Sequence, residues 1–217
     1  MTASELERRA LALLGLSAGP LLLASGSPRR RELLARIGVP LVVAASNVPE
    51  GDRTADESPR DYVIRLARDK AGASMDRART ARAHAILGAD TIVELDGEVL
   101  EKPVDAAEAD AMLARLSGRW HRVWTGVAVI RVADARLVQD AQSSRVRFAE
   151  LSADDRRLYV ETGEPLDKAG AYGIQGIGGL FIPEIDGDYF NVMGLPLALL
   201  RRLCRELEGQ PPESVER

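Results

Sequence analysis

A chain of 217 residues that is 46% hydrophobic can bury a substantial core, in one unit or in two closely packed lobes. Its net charge of −4 and 4% aromatic content argue against broad, non-specific nucleic-acid binding, and few rings are left for base stacking. The single cysteine, Cys204, excludes a disulfide framework or multi-cysteine zinc site, and the apolar runs 21–24 and 195–200 are far too short to cross a bilayer, so a soluble, intracellular chain is expected.

Residues 4–14 read as a helix, with Ser4 and Glu7 at capping-box spacing and Leu6, Ala10, Leu13 and Leu14 on one face, broken by Gly15, Gly19 and Pro20. Residues 21–24 predict a short buried strand, and Ser27-Pro28 an N-cap with proline at the first position of a helix that ends at 38–40. A strand at 41–45 follows, then a polar loop through Glu50, Gly51 and Asp52, then a Ser58-Pro59 start to a helix carrying Tyr62, Val63, Leu66, Ala67 and Lys70. Residues 85–93 read as a buried strand interrupted by Asp90, and Asp96-Gly97 signals a hairpin towards Val99. Asp105 and Glu108 again have capping-box spacing, ahead of a helix with Ala109, Met112, Leu113 and Leu116 inward and Gly118 as its stop. Strands at 123–132 and 137–148 around a turn near Asp134, a helix at 152–161, a glycine-rich stretch at 163–194 and a helix at 195–207 complete the pattern. The tail 209–217 is expected to be disordered. Strands and helices mix irregularly and nothing repeats, which favours an α/β protein with a mixed sheet over a regular doubly wound one.

Three places carry candidate chemistry. In Leu23-Ala24-Ser25-Gly26-Ser27-Pro28-Arg29-Arg30 a strand, a small-residue loop and a helix N-terminus follow one another, an arrangement that suits an anion. The bland alternative is an ordinary Ser-Pro cap with solvated arginines, and the Walker lysine and spacing are absent. Asp90 follows the apolar run 85–89, so it must be paired, metal-bound or at an exposed strand end, unless it only bonds turn backbone beside Thr91. The run from Asp167 to Gly176 is too apolar for a flexible linker, and its glycines suggest tight turns beside a ligand or another strand. Lys70, Lys102 and Glu50 read alone as surface charges. His84 and His121 lack zinc spacing and are expected to be structural or surface residues, and no serine or cysteine hydrolase motif is visible.

Taken together, these segments resemble the Maf (septum-formation inhibitor) family. The resemblance rests on Leu23-Ala-Ser-Gly-Ser-Pro-Arg-Arg30, on Tyr62-Val63 with Arg65-Leu66-Ala67 and Lys70-Ala71, and on Leu87-Gly-Ala-Asp-Thr-Ile-Val93. Gly97-Glu-Val-Leu-Glu-Lys-Pro103, Leu116-Ser-Gly118 with His121, Asp167-Lys-Ala-Gly-Ala-Tyr-Gly-Ile-Gln-Gly176 and Gly194-Leu-Pro196 extend it. It spans roughly residues 21–207, so the chain is divided into an N-terminal extension with a helix (1–20), a catalytic domain (21–208) and the tail. The resemblance implies a mixed α/β fold with two lobes around a central cleft, similar to inosine triphosphate pyrophosphatases, and a cytoplasmic homodimer. It implies a nucleoside triphosphate pyrophosphatase dependent on Mg²⁺ or Mn²⁺, with Asp90 as catalytic acid-base and Asp90 and Glu50 at the metal. Ser25, Arg29, Arg30, Lys70 and Lys102 match positions lining the phosphate site. Val48-Pro49 depart from the commoner acidic pattern before Glu50. Arg29, Thr91 and Gln175 match the dTTP and UTP branch, with 7-methyl-GTP hydrolysis, or a nucleotide-sensing septation regulator without turnover, as alternatives. No nucleic-acid or membrane partner is expected.

Overall fold

The computed structural model describes residues 2–16, 19–46, 48, 51, 53–54 and 56–211. Two compact units are present, one made of Met1–Asp90, Gly126–Ala141 and Gly194–Arg217, the other of Thr91–Thr125 and Gln142–Met193. A seven-stranded mixed sheet runs in the order β2-β1-β3-β5-β6-β7, with β4 added to β3. Its strands are β1 (Leu21–Leu23), β2 (Leu41–Val43), β3 (Ala85–Leu95), β4 (Glu98–Leu100), β5 (Trp120–Arg131), β6 (Leu137–Arg147) and β7 (Glu184–Asp186). β1 pairs in parallel with β2 and β3, whereas β4 returns antiparallel along β3 and β7 along β6. The mixed α/β architecture is the one expected.

In the first unit, α1 (Ala3–Leu14) starts earlier than its sequence suggests: Thr2, not Ser4, is the N-cap and accepts from the Glu5 amide. The buried stripe is correspondingly Ala10, Leu11 and Leu14, and Leu13 is 68% exposed. Gly15, at φ 87°, closes the helix with its amide on Ala12, while the Leu16 amide reaches Leu11. α1 packs on α8 (Leu197–Leu207), where Arg201 Nε donates to the Leu13 carbonyl and Gln210 Nε2 to that of Gly15. Gln210 is thereby tied to the fold; residues 212–217 of the expected disordered tail lie outside the described residues. α2 (Pro28–Arg36) and α3 (Pro59–Gly72) both begin with proline as predicted. α4 (Met75–Thr80) was not predicted, because in six residues only Ala78 is buried and no apolar period can develop. Cys204 is buried, which pushes its thiol up to about 12, in keeping with a packing role.

In the second unit, Asp96 and Gly97 both take positive φ, 55° and 85°, and make the predicted tight hairpin between β3 and β4. α5 (Ala106–Leu116) buries the four residues expected of it, but its capping box is offset. Asp105 accepts from the Glu108 amide as predicted, while the Glu108 carboxylate accepts from Val104 rather than from the cap residue. α6 (Ala153–Glu161) carries a complete box between Ser152 and Asp155. The glycine-rich stretch contains three 3₁₀ turns, Glu164–Asp167, Ala169–Ala171 and Ile177–Phe181, then β7 and α7 (Tyr189–Met193), none of which has a sequence period to announce it. The core here includes Leu113, Phe148, Tyr159 and Tyr172. His121 sits in it with a ring nitrogen 2.8 Å from the Tyr172 hydroxyl and its ring edge-on to Phe148, and burial lowers its pKa to about 3. In the first unit His84 pairs with Glu208 at 2.7 Å. Both histidines are structural, as expected. No helix among the described residues is long and apolar enough to cross a membrane.

Candidate active site

β1 delivers the chain into the loop Ala24–Ser27 and then straight into α2. Ser27 holds the N-cap position with extended backbone angles but makes no side-chain cap bond; its amide instead donates to Ser25 Oγ at 3.3 Å. Arg30 turns inward. Its Nε donates to the Gly194 carbonyl at 2.7 Å, and its Nη1 donates to Ser25 Oγ at 2.8 Å and to the Ala89 carbonyl at 2.9 Å. One guanidinium, 7% exposed, thus ties the loop to the residue before Asp90 and to the residue two before Pro196-Leu197, where α8 starts. Arg29, one position earlier in the first turn, is only half-buried.

Asp90 on β3 meets Lys70 from the last turn of α3, with Nζ 2.5 Å from Oδ1 and both residues buried. Of the placements open to a carboxylate in an apolar strand, the fold uses pairing. Removing one partner of a buried ion pair is in general destabilising by about 3–5 kcal/mol. Lys70, which read alone as surface charge, reaches Asp90 because α3 lies very close to β3. Ala67 and Ala71 are fully buried there, and Gly88 presents no side chain to them.

Ser25, Arg30, Lys70 and Asp90 are therefore linked within the first unit, through Ala89 and Asp90 of one strand. Thr91, Lys102 and Gln175 belong to the second unit. Thr91 Oγ1 lies 2.9 Å from Thr125 Oγ1, and the fully buried Thr125 hydroxyl donates to the Asn191 carbonyl at 3.0 Å. Lys102 is exposed on a surface groove of about 520 Å³ lined also by Glu101, Val104, Glu108 and Arg115. Gln175 is exposed in the turn between two 3₁₀ segments. Glu50 lies outside the described residues. The sequence reading missed Thr125, Asn191 and the Gly194 carbonyl, since a backbone acceptor or a hydroxyl on a central strand carries no signal of its own.

Residues 20–207 match the family described as Maf-like protein. The chain belongs to the Maf family. It is 56% identical over 177 residues to the dTTP/UTP pyrophosphatase of Symbiobacterium thermophilum, covering 82% of this chain and 88% of that protein. It is 53% identical over 178 residues to the dTTP/UTP pyrophosphatase of Escherichia coli O157:H7, covering 82% and 87%. With the dTTP/UTP pyrophosphatase of Hahella chejuensis the identity is 46% over 186 residues, covering 86% and 91%. The Maf match begins just before β1, so α1 lies outside the matched segment and packs on α8. Among the described residues no group of three or more His, Cys, Asp or Glu side chains converges. A carboxylate such as that of Asp90 is the ligand type a hard cation takes, alongside polyphosphate oxygens and water.

Proposed function

We propose that this chain is a nucleoside triphosphate pyrophosphatase that hydrolyses dTTP and UTP to the monophosphate and pyrophosphate. The observation that carries this reading is the buried Lys70–Asp90 pair joined through Ala89 and Arg30 to the Ser25 loop, in a chain more than 50% identical to proteins named for that activity. Cleavage between the α and β phosphates needs a water that loses a proton as its oxygen bonds to phosphorus, and cations that take up the charge leaving with pyrophosphate. Asp90 accepts the water proton. Lys70, bonded to Asp90 Oδ1, fixes the carboxylate's orientation and adds positive charge beside the phosphates. Ser25, Arg29 and the N-terminus of α2 receive the polyphosphate, and Arg30, bonded to Gly194, Ser25 and Ala89, holds that loop in shape and contributes its charge. Lys102 supplies a further phosphate contact. Asp90 and Glu50 would hold a Mg²⁺ or Mn²⁺, which would supply positive charge to neutralise the phosphates. Arg29, Thr91 and Gln175 select the pyrimidine nucleotide, and the working form is a cytoplasmic homodimer.

The test is a panel of canonical and modified nucleoside triphosphates with Mg²⁺ or Mn²⁺, scoring monophosphate and pyrophosphate separately from orthophosphate, for the wild type and Asp90→Asn. Turnover of dTTP and UTP that disappears in a folded Asp90→Asn protein is the expected result. A preference for 7-methyl-GTP, nucleotide binding without turnover, or an active Asp90→Asn variant would each overturn part of the assignment.

A further inference from the structure

The turn that carries Gln175 is held from beneath by a side chain with no assigned role. Glu164 Oε1 accepts from the Tyr159 hydroxyl at 2.8 Å and from the Gly178 amide at 3.1 Å, and Oε2 accepts from the Ile177 amide at 2.8 Å. The Tyr159 hydroxyl in turn accepts from the Gly173 amide at 3.1 Å. Both ends of the 173–178 turn are thus bonded to one connected pair of side chains. Tyr159 is anchored in the core, 2% exposed and edge-on to Phe181 with ring centres 5.3 Å apart. The space is closed as well: a Cβ at Gly173 would lie 2.7 Å from Lys168 Cε, and one at Gly176 would run into the Glu164 carboxylate. Burial works to raise the Glu164 pKa, but the amide and hydroxyl donors outweigh it and hold the carboxyl below its ordinary range, so an ionised acceptor is kept under the turn. Gln175, at the crest, is exposed, and its side chain makes no hydrogen bond among the described residues.

A flexible glycine-rich loop would have to be ordered each time a ligand arrived, whereas a clamped one presents its amide ready-made. We infer that Glu164, with Tyr159, is a positioning residue for nucleobase recognition, holding the 173–178 turn so that Gln175 meets the base edge in a preset orientation. The inference rests on Gln175 being the residue that reads the base.

The experiment is a double-mutant cycle on the full chain with Glu164→Gln, Gln175→Ala and the pair, measuring KM and kcat for dTTP and amide hydrogen exchange at Ile177 and Gly178. A glutamine cannot accept at both ends, so Glu164→Gln should speed exchange at one or both amides and raise KM about tenfold with kcat little changed. In the Gln175→Ala background the same change should add nothing to KM. Tyr159→Phe keeps the buried ring and removes only the hydroxyl, and should reproduce the KM effect even if Glu164→Gln folds poorly. A neutral Gln175→Ala overturns the base-reading role and this inference with it. A deleterious Gln175→Ala beside neutral Glu164→Gln and Tyr159→Phe, or additive effects in the cycle, overturns the inference alone.

Discussion

Gly88→Ala tests whether the approach of α3 to β3 builds the Lys70–Asp90 pair. A Cβ at Gly88 would lie 2.9 Å from Ala71 Cβ and from the Ala71 amide nitrogen, and closer still to the Ala67 carbonyl oxygen. Non-bonded carbons rest about 3.5–4.0 Å apart, so the helix, whose Ala67 and Ala71 are fully buried, must retreat by roughly 1 Å. Overpacking of this kind costs about 1–3 kcal/mol, which for a chain of this size lowers Tm by roughly 2–12 °C. The same retreat carries Lys70, one residue before Ala71, away from Asp90, whose Oδ1 it now meets at 2.5 Å. A misplacement of about 1 Å in such a group costs on the order of a hundredfold in rate. Gly72, on the same helix with nothing within 4 Å of an added Cβ, is the control: Gly72→Ala should leave activity alone and stabilise by about 0.4–1 kcal/mol. Thermal melts and kcat/KM for dTTP on the three proteins decide it. If Gly88→Ala behaves like Gly72→Ala, close helix-strand contact is not what sets the Lys70–Asp90 geometry.

Gln175→Glu, which offers no donor when ionised, should lower kcat/KM for dTTP and UTP by about tenfold or more, and Arg29→Trp should weaken the same substrates. Equal losses with 7-methyl-GTP would remove both residues from base selection. Deleting residues 1–19 should preserve kcat/KM per folded molecule but lower stability, because Leu11, Leu14 and Leu16 lose their burial, worth about 1.5–3 kcal/mol each as an upper bound. An unchanged Tm in the truncated protein would contradict the packing of α1 on α8. His121 stays neutral in the fold down to about pH 3 while the unfolded chain protonates near the ordinary histidine value, so stability should fall as pH drops below about 6.5, by about 1.4 kcal/mol per unit. Urea titrations at pH 7 and 5 check this, and His121→Gln should flatten the dependence; an equal slope in both proteins would point to another group.

Local signals were legible wherever one residue's chemistry decides the outcome. Pro28 and Pro59 marked helix starts, Asp96-Gly97 a hairpin, and the spacing of Ala109, Met112, Leu113 and Leu116 the inner face of α5. Even there the partner of a cap was open: Thr2 took the place assigned to Ser4, because any hydroxyl at the right extended backbone position satisfies the same orphan amide. The glycine-rich stretch was legible as tight turns but not as particular 3₁₀ segments, since their bonds run to Tyr159 and Glu164, up to 14 residues away.

The candidate site divides in the same way. By itself, the sequence determined that Asp90, in an apolar strand, had to be paired, metal-bound, at an exposed strand end or bonded to turn backbone, that the Ser25–Arg30 junction put cationic side chains at a helix N-terminus, and that its dispersed motifs resemble one family. It did not say that the partner is Lys70, twenty positions earlier among arginines and an aspartate, nor that Arg30 turns inward to Gly194, Ser25 and Ala89 while Arg29 remains half-exposed. Those choices belong to the tertiary structure, because a charge is driven to its nearest compensating group in space once water is excluded. That neighbour is fixed by how closely α3 can lie on β3, with Ala67, Ala71 and Gly88 in between, and by the meeting of Ser25, Ala89 and Gly194 around one guanidinium.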